Sequence, residues 1–166
     1  MANLNLSEIV KCGIQIEKNG RDFYDTASKS VRAEKVKQIF EYISNEEQSH
    51  IAVFEGIVNE VDAGSKSAKN CPAEYSQYLL ALMEENSFTK IKQGYETART
   101  IRNDKHALEL ALAVEKDSLL FYHELKRALE HGLHSDIDKL IVSEQDHFNK
   151  LSEVYKGFSK FGVNRG

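Results

Sequence analysis

Two copies of the motif Glu-x-x-His constrain this chain more than any other feature of its sequence. In each copy the Glu and the His are three residues apart, so on a helix both side chains lie on one face and can reach one metal ion. A further Glu precedes each copy by about 30 residues, so the order Glu, then Glu-x-x-His, occurs twice. This order indicates an internal duplication. The six residues, in chain order, are Glu17, Glu47, His50, Glu115, Glu144 and His147.

The residues around these motifs favour a buried site over a set of exposed polar pairs. Residues seven positions apart lie close to one face of a helix, because seven residues make almost two turns. At that spacing each of the six interrupts an apolar stripe, as Phe40 and Phe54 do on either side of Glu47, and no Lys or Arg occupies the flanking positions. Burying unpaired carboxylates costs several kcal/mol. We therefore predict that a dinuclear metal site supplies the missing positive charge.

The composition fits one helical domain over residues 1–166. One Pro in the chain and 29% charged residues favour long helices over a sheet. The net charge of −4 gives no reason to expect nucleic acid as a partner. No apolar run approaches the roughly 18 residues that span a membrane, and the first ten residues lack the pattern of a secretory signal. We expect a cytoplasmic protein that binds neither nucleic acid nor a membrane.

The hydrophobic pattern predicts four long helices that end near residues 28, 61, 130 and 157. The residues expected to cap them are Asn5 or Ser7, Ser30, and Ser135 or Asp136. Between about residues 64 and 103 the pattern changes and includes one short helix over 73–86. A connection of about 40 residues is too long for a hairpin. It suits a crossover that returns the chain to the far end of a four-helix bundle.

The sequence resembles the ferritin-like di-iron proteins and, among them, the rubrerythrin family. The similarity is most specific over residues 17–24 and 111–122, where a Phe-Tyr pair follows the Glu at the same spacing. It implies an all-α, ferritin-like four-helix bundle with a long crossover between the second and third helices. It also implies a pair of iron ions, although manganese or a mixed pair accepts similar ligands. The implied ligands are Glu47 and Glu144 as bridging carboxylates, Glu17 and Glu115 as terminal ones, and His50 and His147 with one iron each.

The resemblance implies an oxidoreductase that reduces hydrogen peroxide or O2, as in protection from oxidative stress. Cys12 and Cys71 form no Cys-x-x-Cys pair, which excludes a rubredoxin-type module within this sequence. Electrons would come from a separate carrier, such as a rubredoxin-like protein. The family also places an extra Glu one turn after the third-helix ligand, where this chain has Ser118. Without that carboxylate, fast peroxide reduction is in doubt, while the metal site is retained. We expect a homodimer or a higher homo-oligomer.

Alternative functions and roles remain open at this point. The protein could oxidise and store ferrous iron, or it could be a non-catalytic bundle that holds a metal structurally. Tyr24 and Tyr122 are either core aromatics or hydrogen-bond donors to a metal-bound Glu of the opposed helix. Glu46 has no counterpart in the second repeat, where Ser143 stands. The remaining histidines, which we expect at the surface, are His106, His123, His131 and His134.

Overall fold

The computed structural model describes residues 5–64, 73–85, 94–129 and 131–161. Within these ranges the chain forms helices and no strand, which confirms the predicted all-α class. A single 3-10 turn, His131–Leu133, directly precedes the last helix. The helices are α1 Leu6–Ser28, α2 Glu34–Asp62, α3 Ala73–Glu85, α4 Gly94–Ala98, α5 Asp104–Ala128 and α6 His134–Phe161. None of them combines the length and the apolar character needed to cross a lipid bilayer.

The four long helices pack as a ferritin-like bundle. Helix α1 contacts α2 and α5, and α6 contacts the same two helices from the other side. A short connection over residues 29–33 makes α1 and α2 antiparallel neighbours. The apolar faces form two separate clusters, one near the start of α1 around Ile9 and Phe54 and one near its end around Phe23 and Phe40. The middle of each long helix lies between these clusters.

The helix starts show where the capping predictions hold and where they do not. Asn5 caps α1 in a capping box with Glu8, as predicted. The prediction that Ser30 caps α2 was wrong, because the N-cap residue is Ala33, which has no polar side chain. The prediction for the fourth helix was also wrong, since α6 already begins at His134, directly after the 3-10 turn.

A residue from a distant part of the chain takes over the capping of α2. Asp104, in the first turn of α5, accepts hydrogen bonds from the backbone N–H groups of Arg32 (2.9 Å) and Ala33 (2.7 Å). These donors would otherwise be unsatisfied at the start of a helix. Helices α2 and α5 are thereby fixed with their starts at the same end of the bundle.

The connection between α2 and α5 contains the predicted short helix, α3, and the smaller helix α4. Helix α3 packs against α5 and α1. The main packing partner of helix α4 is α1. Gly94, which begins α4, lies so close to α1 that an added Cβ would be 1.7 Å from the carbonyl oxygen of Asn19. Residues 65–72 and 86–93 lie outside the described ranges. The path of the crossover therefore stays a prediction.

Candidate metal centre

The structure brings all six predicted ligand residues together in the middle of the bundle. One Glu comes from each of α1 and α5, and a Glu-x-x-His pair comes from each of α2 and α6. The apolar stripes predicted around these residues hold them inside, so every one is at most 5% exposed. This arrangement, with one Glu from each of two helices and one Glu-x-x-His from each of the other two, is the ligand pattern of carboxylate di-metal bundles.

The first group of possible ligands surrounds the imidazole of His50. Its Nδ1 atom lies 2.9 Å from Oε1 of Glu144, 3.3 Å from Oε2 of Glu17 and 3.4 Å from Oε2 of Glu47. Ligand atoms of these four residues all lie within 4.8 Å of one another. One cation can therefore be reached by three carboxylates and one imidazole.

The second group surrounds the imidazole of His147. Its Nδ1 atom lies 3.4 Å from Oε2 of Glu144, 3.7 Å from Oε2 of Glu115 and 3.9 Å from Oε1 of Glu47. These four residues also place their ligand atoms within 4.8 Å of one another. Glu47 and Glu144 belong to both groups, whereas each remaining ligand belongs to one. The geometry thus offers two adjacent cation positions that share two carboxylates.

Two buried tyrosines link the outer carboxylates across the bundle. The hydroxyl of Tyr24 on α1 donates to Oε1 of Glu115 on α5, and that of Tyr122 on α5 donates to Oε1 of Glu17 on α1. Of the two roles left open for these tyrosines, the structure shows that of a hydrogen-bond donor to a Glu of the opposed helix. Burial, followed by the charge of the nearby carboxylates, raises the pKa of both tyrosines well above the usual value. Both phenols therefore remain protonated donors at neutral pH.

The protonation of the metal-free cluster follows from its burial. Burial, followed by repulsion from neighbouring carboxylates, raises the pKa of Glu47 and of Glu115 well above the usual value. Burial would also raise the pKa of Glu144, but the close polar contacts of its carboxylate with Glu115, His147 and His50 lower this pKa well below the usual value. The cluster thus combines carboxylic acids with at least one carboxylate.

The imidazoles respond to the same environment in the opposite direction. Burial alone would lower the pKa of each histidine, but the close approach of the carboxylates outweighs this effect. The pKa of His147 rises to about 9, and that of His50 rises further. In the absence of metal the two imidazolium ions supply the positive charge that balances the buried carboxylates.

Some polar atoms of the cluster find no hydrogen-bond partner among the protein groups. These atoms show whether the cluster suits metal ions. In the part of the chain that the structure describes, five buried atoms of the cluster lack a hydrogen-bond partner: Oε2 of Glu115, both carboxylate oxygens of Glu144 and both ring nitrogens of His147. Unsatisfied polar atoms at zero exposure are costly. Carboxylate oxygens and imidazole nitrogens are the ligands that iron, manganese and zinc accept. The donor set therefore fits a pair of such ions.

One contact of the cluster was not found by sequence reasoning. The hydroxyl of Ser143, on α6, lies 2.9 Å from Nε2 of His50, on α2. Ser143 entered the sequence analysis only as the residue that replaces Glu46 in the second repeat. That difference between the repeats was the available signal, but nothing in the spacing of a single helix shows that the side chain faces His50.

The residues placed outside the site in the sequence analysis also stay outside it in the structure. His123 and His131 are exposed as predicted, whereas His106 and His134 are half-buried and hydrogen-bond backbone groups of Arg102 and Leu129. Burial, followed by the charge of Glu8, raises the pKa of the Cys12 thiol to about 11, so this thiol stays protonated and unreactive at neutral pH. Cys71 lies outside the described ranges.

Comparison with known protein families finds a match over more than half of the chain. The family model described as rubrerythrin matches residues 8–104, which include α1, α2 and the connection that follows them. No curated protein and no solved structure matches the chain. The matched range contains Glu17, Glu47 and His50.

Proposed function

Because the chain belongs to the rubrerythrin family, we propose that its core holds two iron ions and that it acts as an oxidoreductase. The observation that carries this proposal is the pair of overlapping ligand groups. Glu17 and His50 would hold one ion, Glu115 and His147 the other, and Glu47 and Glu144 would bind both. Two ions held in this way supply a redox pair that can exchange electrons with peroxide or O2.

The protein groups around the ions would fix the ligands and keep the site dry. The phenols of Tyr24 and Tyr122 each occupy one oxygen of an outer carboxylate, which leaves the other oxygen for metal. Apolar rings cover both tyrosines: Phe40 lies edge-on to Tyr24 at 5.3 Å, and Phe54 lies tilted against Tyr122 at 5.2 Å. Exclusion of water strengthens the attraction between the carboxylates and a cation.

The proposed reaction is the reduction of hydrogen peroxide or O2. For peroxide, two electrons and two protons convert one molecule to two of water, and the electrons would come from a separate carrier protein. Anaerobic loading with ferrous iron, followed by stopped-flow mixing with peroxide and with O2 in parallel, tests this reaction. We expect peroxide to oxidise the loaded site within the mixing experiment and a reduced rubredoxin to restore it. A loaded site that neither oxidant oxidises would contradict the proposed activity.

A second function, the oxidation and storage of ferrous iron, stays open because the buried Ser118 weakens the case for fast peroxide reduction. Its side chain lies one turn beyond Glu115 on α5 and is 5% exposed, so a hydroxyl occupies a position where the family carries a carboxylate. Iron stoichiometry separates the two functions. Storage requires many irons per chain, whereas the proposed oxidoreductase holds about two.

The ligand assignment is tested by removal of a shared carboxylate. Glu144→Ala and Glu47→Ala should each abolish binding of both ions, because each of these residues belongs to both ligand groups. Glu41→Ala is the matched control, since Glu41 is an exposed carboxylate of α2 that faces Lys37. Metal content after loading and gel filtration is the measurement. A Glu144→Ala chain that still carries two ions would show that the assignment is incorrect.

A further inference from the structure

The two imidazoles of the cluster are equivalent in the repeat but not in their surroundings. Both point Nδ1 toward the carboxylates, and the two rings stack with centroids 5.5 Å apart. They differ at Nε2. For His50 this atom has the Ser143 hydroxyl at 2.9 Å, whereas Nε2 of His147 has no hydrogen-bond partner among the residues that the structure describes.

The contact with Ser143 affects the atom that would bind metal. When the hydroxyl oxygen of Ser143 accepts a hydrogen bond from Nε2–H of His50, the proton of the neutral imidazole stays on Nε2. The lone pair of Nδ1 then points toward Glu17, Glu47 and Glu144. A hydrogen bond of this kind from the far ring nitrogen fixes both the tautomer and the orientation of a metal-binding histidine.

The corresponding side of His147 offers a different environment. Tyr42 lies edge-on to this imidazole with ring centroids 6.1 Å apart, and Tyr42 is itself 40% exposed. In the repeat, Glu46 occupies the position that corresponds to Ser143, and its side chain is half-buried. Its charge acts on Lys150, which lies over the Tyr42 ring. This ring packing supplies no oxygen or nitrogen acceptor for Nε2–H of His147 among the described residues.

From this asymmetry we infer that Ser143 is a positioning residue for His50, and that it makes the two metal positions unequal. The position formed by Glu17, Glu47, His50 and Glu144 is the tighter one and fills first. The position at His147, whose ring is not held by a hydrogen bond, is the weaker one and fills second. This inference rests on the proposed two-ion site and adds an order of loading to it.

Cobalt(II), added anaerobically in place of iron, allows the two positions to be measured one at a time. His147→Ala leaves the position at His50, and His50→Ala leaves the position at His147. Loss of a polar partner behind a metal-binding histidine weakens metal affinity by about 10- to 100-fold. We expect Ser143→Ala to raise the Kd for cobalt by about this factor in the His147→Ala background. In the His50→Ala background we expect it to leave the Kd unchanged.

Two further variants separate a positioning role from a general structural one. Ser143→Thr retains a hydroxyl and should restore most of the cobalt affinity, with the absorption bands of the bound ion at their original wavelengths. Ser44→Ala removes another partly buried serine hydroxyl, which donates to the carbonyl oxygen of Arg21 and contacts neither imidazole in the hydrogen bonds of the described residues. This control should leave both affinities unchanged.

The outcomes distinguish this inference from the proposed function. If the unmodified protein takes up no cobalt in its core, the two-ion site itself is wrong. If it takes up two ions but Ser143→Ala weakens both single-position backgrounds equally, or neither, only the role of Ser143 is refuted. Should a background variant fail to fold, titration of the full-length protein decides, because Ser143→Ala must then weaken the tighter of the two binding steps and spare the other.

Discussion

Among single residues, the protons of the metal-free cluster determine how tightly a metal can bind. The raised pKa values of Glu47 and Glu115 favour the carboxylic acid, and the raised pKa values of His50 and His147 favour the imidazolium ion. A metal ion needs the deprotonated form of each of these ligands. Binding therefore competes with protons at these side chains.

We expect metal loading at pH 7 to release up to four protons per chain, one from each of these four groups. Because protons compete with the metal, affinity should rise with pH. The share due to His147 should disappear above its pKa of about 9, where this histidine is already neutral. Calorimetric titration with cobalt(II) in buffers of different ionisation enthalpy measures the release. A buffer-independent heat at pH 7 would contradict the assigned protonation states.

The clustering of the six candidate ligands was predictable from sequence, and their hydrogen-bond partners were only partly so. Glu17 and Glu115 are identifiable because the duplication repeats them upstream of each Glu-x-x-His motif. The hydrogen bond from Tyr24 to Glu115 could be anticipated, because the Glu-to-Tyr spacing occurs twice in the sequence. Ser143 was not, because its contact with His50 joins two helices whose relative rotation is set by packing and not by the spacing within either helix.

At the scale of elements, the start of α2 depends on a side chain from α5. The N-cap Ala33 offers no acceptor, and the carboxylate of Asp104 binds the N–H groups of Arg32 and Ala33 instead. Sequence reasoning assigned the cap to Ser30 because it searched only adjacent residues. The Ser30 hydroxyl donates to the carbonyl oxygen of Thr26 and so belongs to the end of α1.

Asp104→Ala should therefore destabilise the bundle by about 1–2 kcal/mol, because it leaves the N–H groups of Arg32 and Ala33 without their charged acceptor. The expected effect is on the stability of two helices at once, since the same carboxylate also lies in the first turn of α5. Denaturant unfolding followed by circular dichroism is the measurement. Asp136→Ala is the control: its carboxylate lies in the first turn of α6, binds Lys139 at the surface, and should cost much less. Equal losses in the two variants would argue against a capping role for Asp104.

The short helix α4 depends on a glycine for its contact with α1. A methyl group at position 94 would lie 1.7 Å from the carbonyl oxygen of Asn19 and 2.8 Å from the backbone nitrogen of Phe23. Both atoms belong to the backbone of α1 and cannot move aside as a side chain could. Gly94→Ala should therefore push α4 away from α1 and destabilise the protein by about 1–3 kcal/mol.

For Gly56→Ala we expect the opposite effect on stability. Gly56 lies inside α2 with no atom within 4 Å of an added Cβ. Replacing such a helix glycine by alanine should stabilise the protein by about 0.5–1 kcal/mol. Thermal unfolding of the two variants and of the unmodified protein measures both changes in stability. A stabilising Gly94→Ala would show that α4 does not pack on α1 as described.

At the scale of the whole molecule, the all-α bundle and its central site were predictable, and the packing of its connection was not. The apolar stripes at helical spacing fix which faces meet, because each long helix must bury one face. The approach of α4 to α1 at Gly94 had no such signal. The sequence does not show whether a glycine makes room for a neighbouring backbone or simply faces solvent.

The six polar side chains at the centre divide the apolar interior into the cluster around Ile9 and Phe54 and the cluster around Phe23 and Phe40. We therefore expect the metal-free bundle to behave as two cooperative units that can open one at a time. With two ions bound to all four long helices, opening either unit would break metal–ligand bonds, so both should open together. Amide hydrogen exchange should show two distinct opening free energies in the metal-free protein and a single higher one after loading. Identical protection at both ends before loading would refute this division.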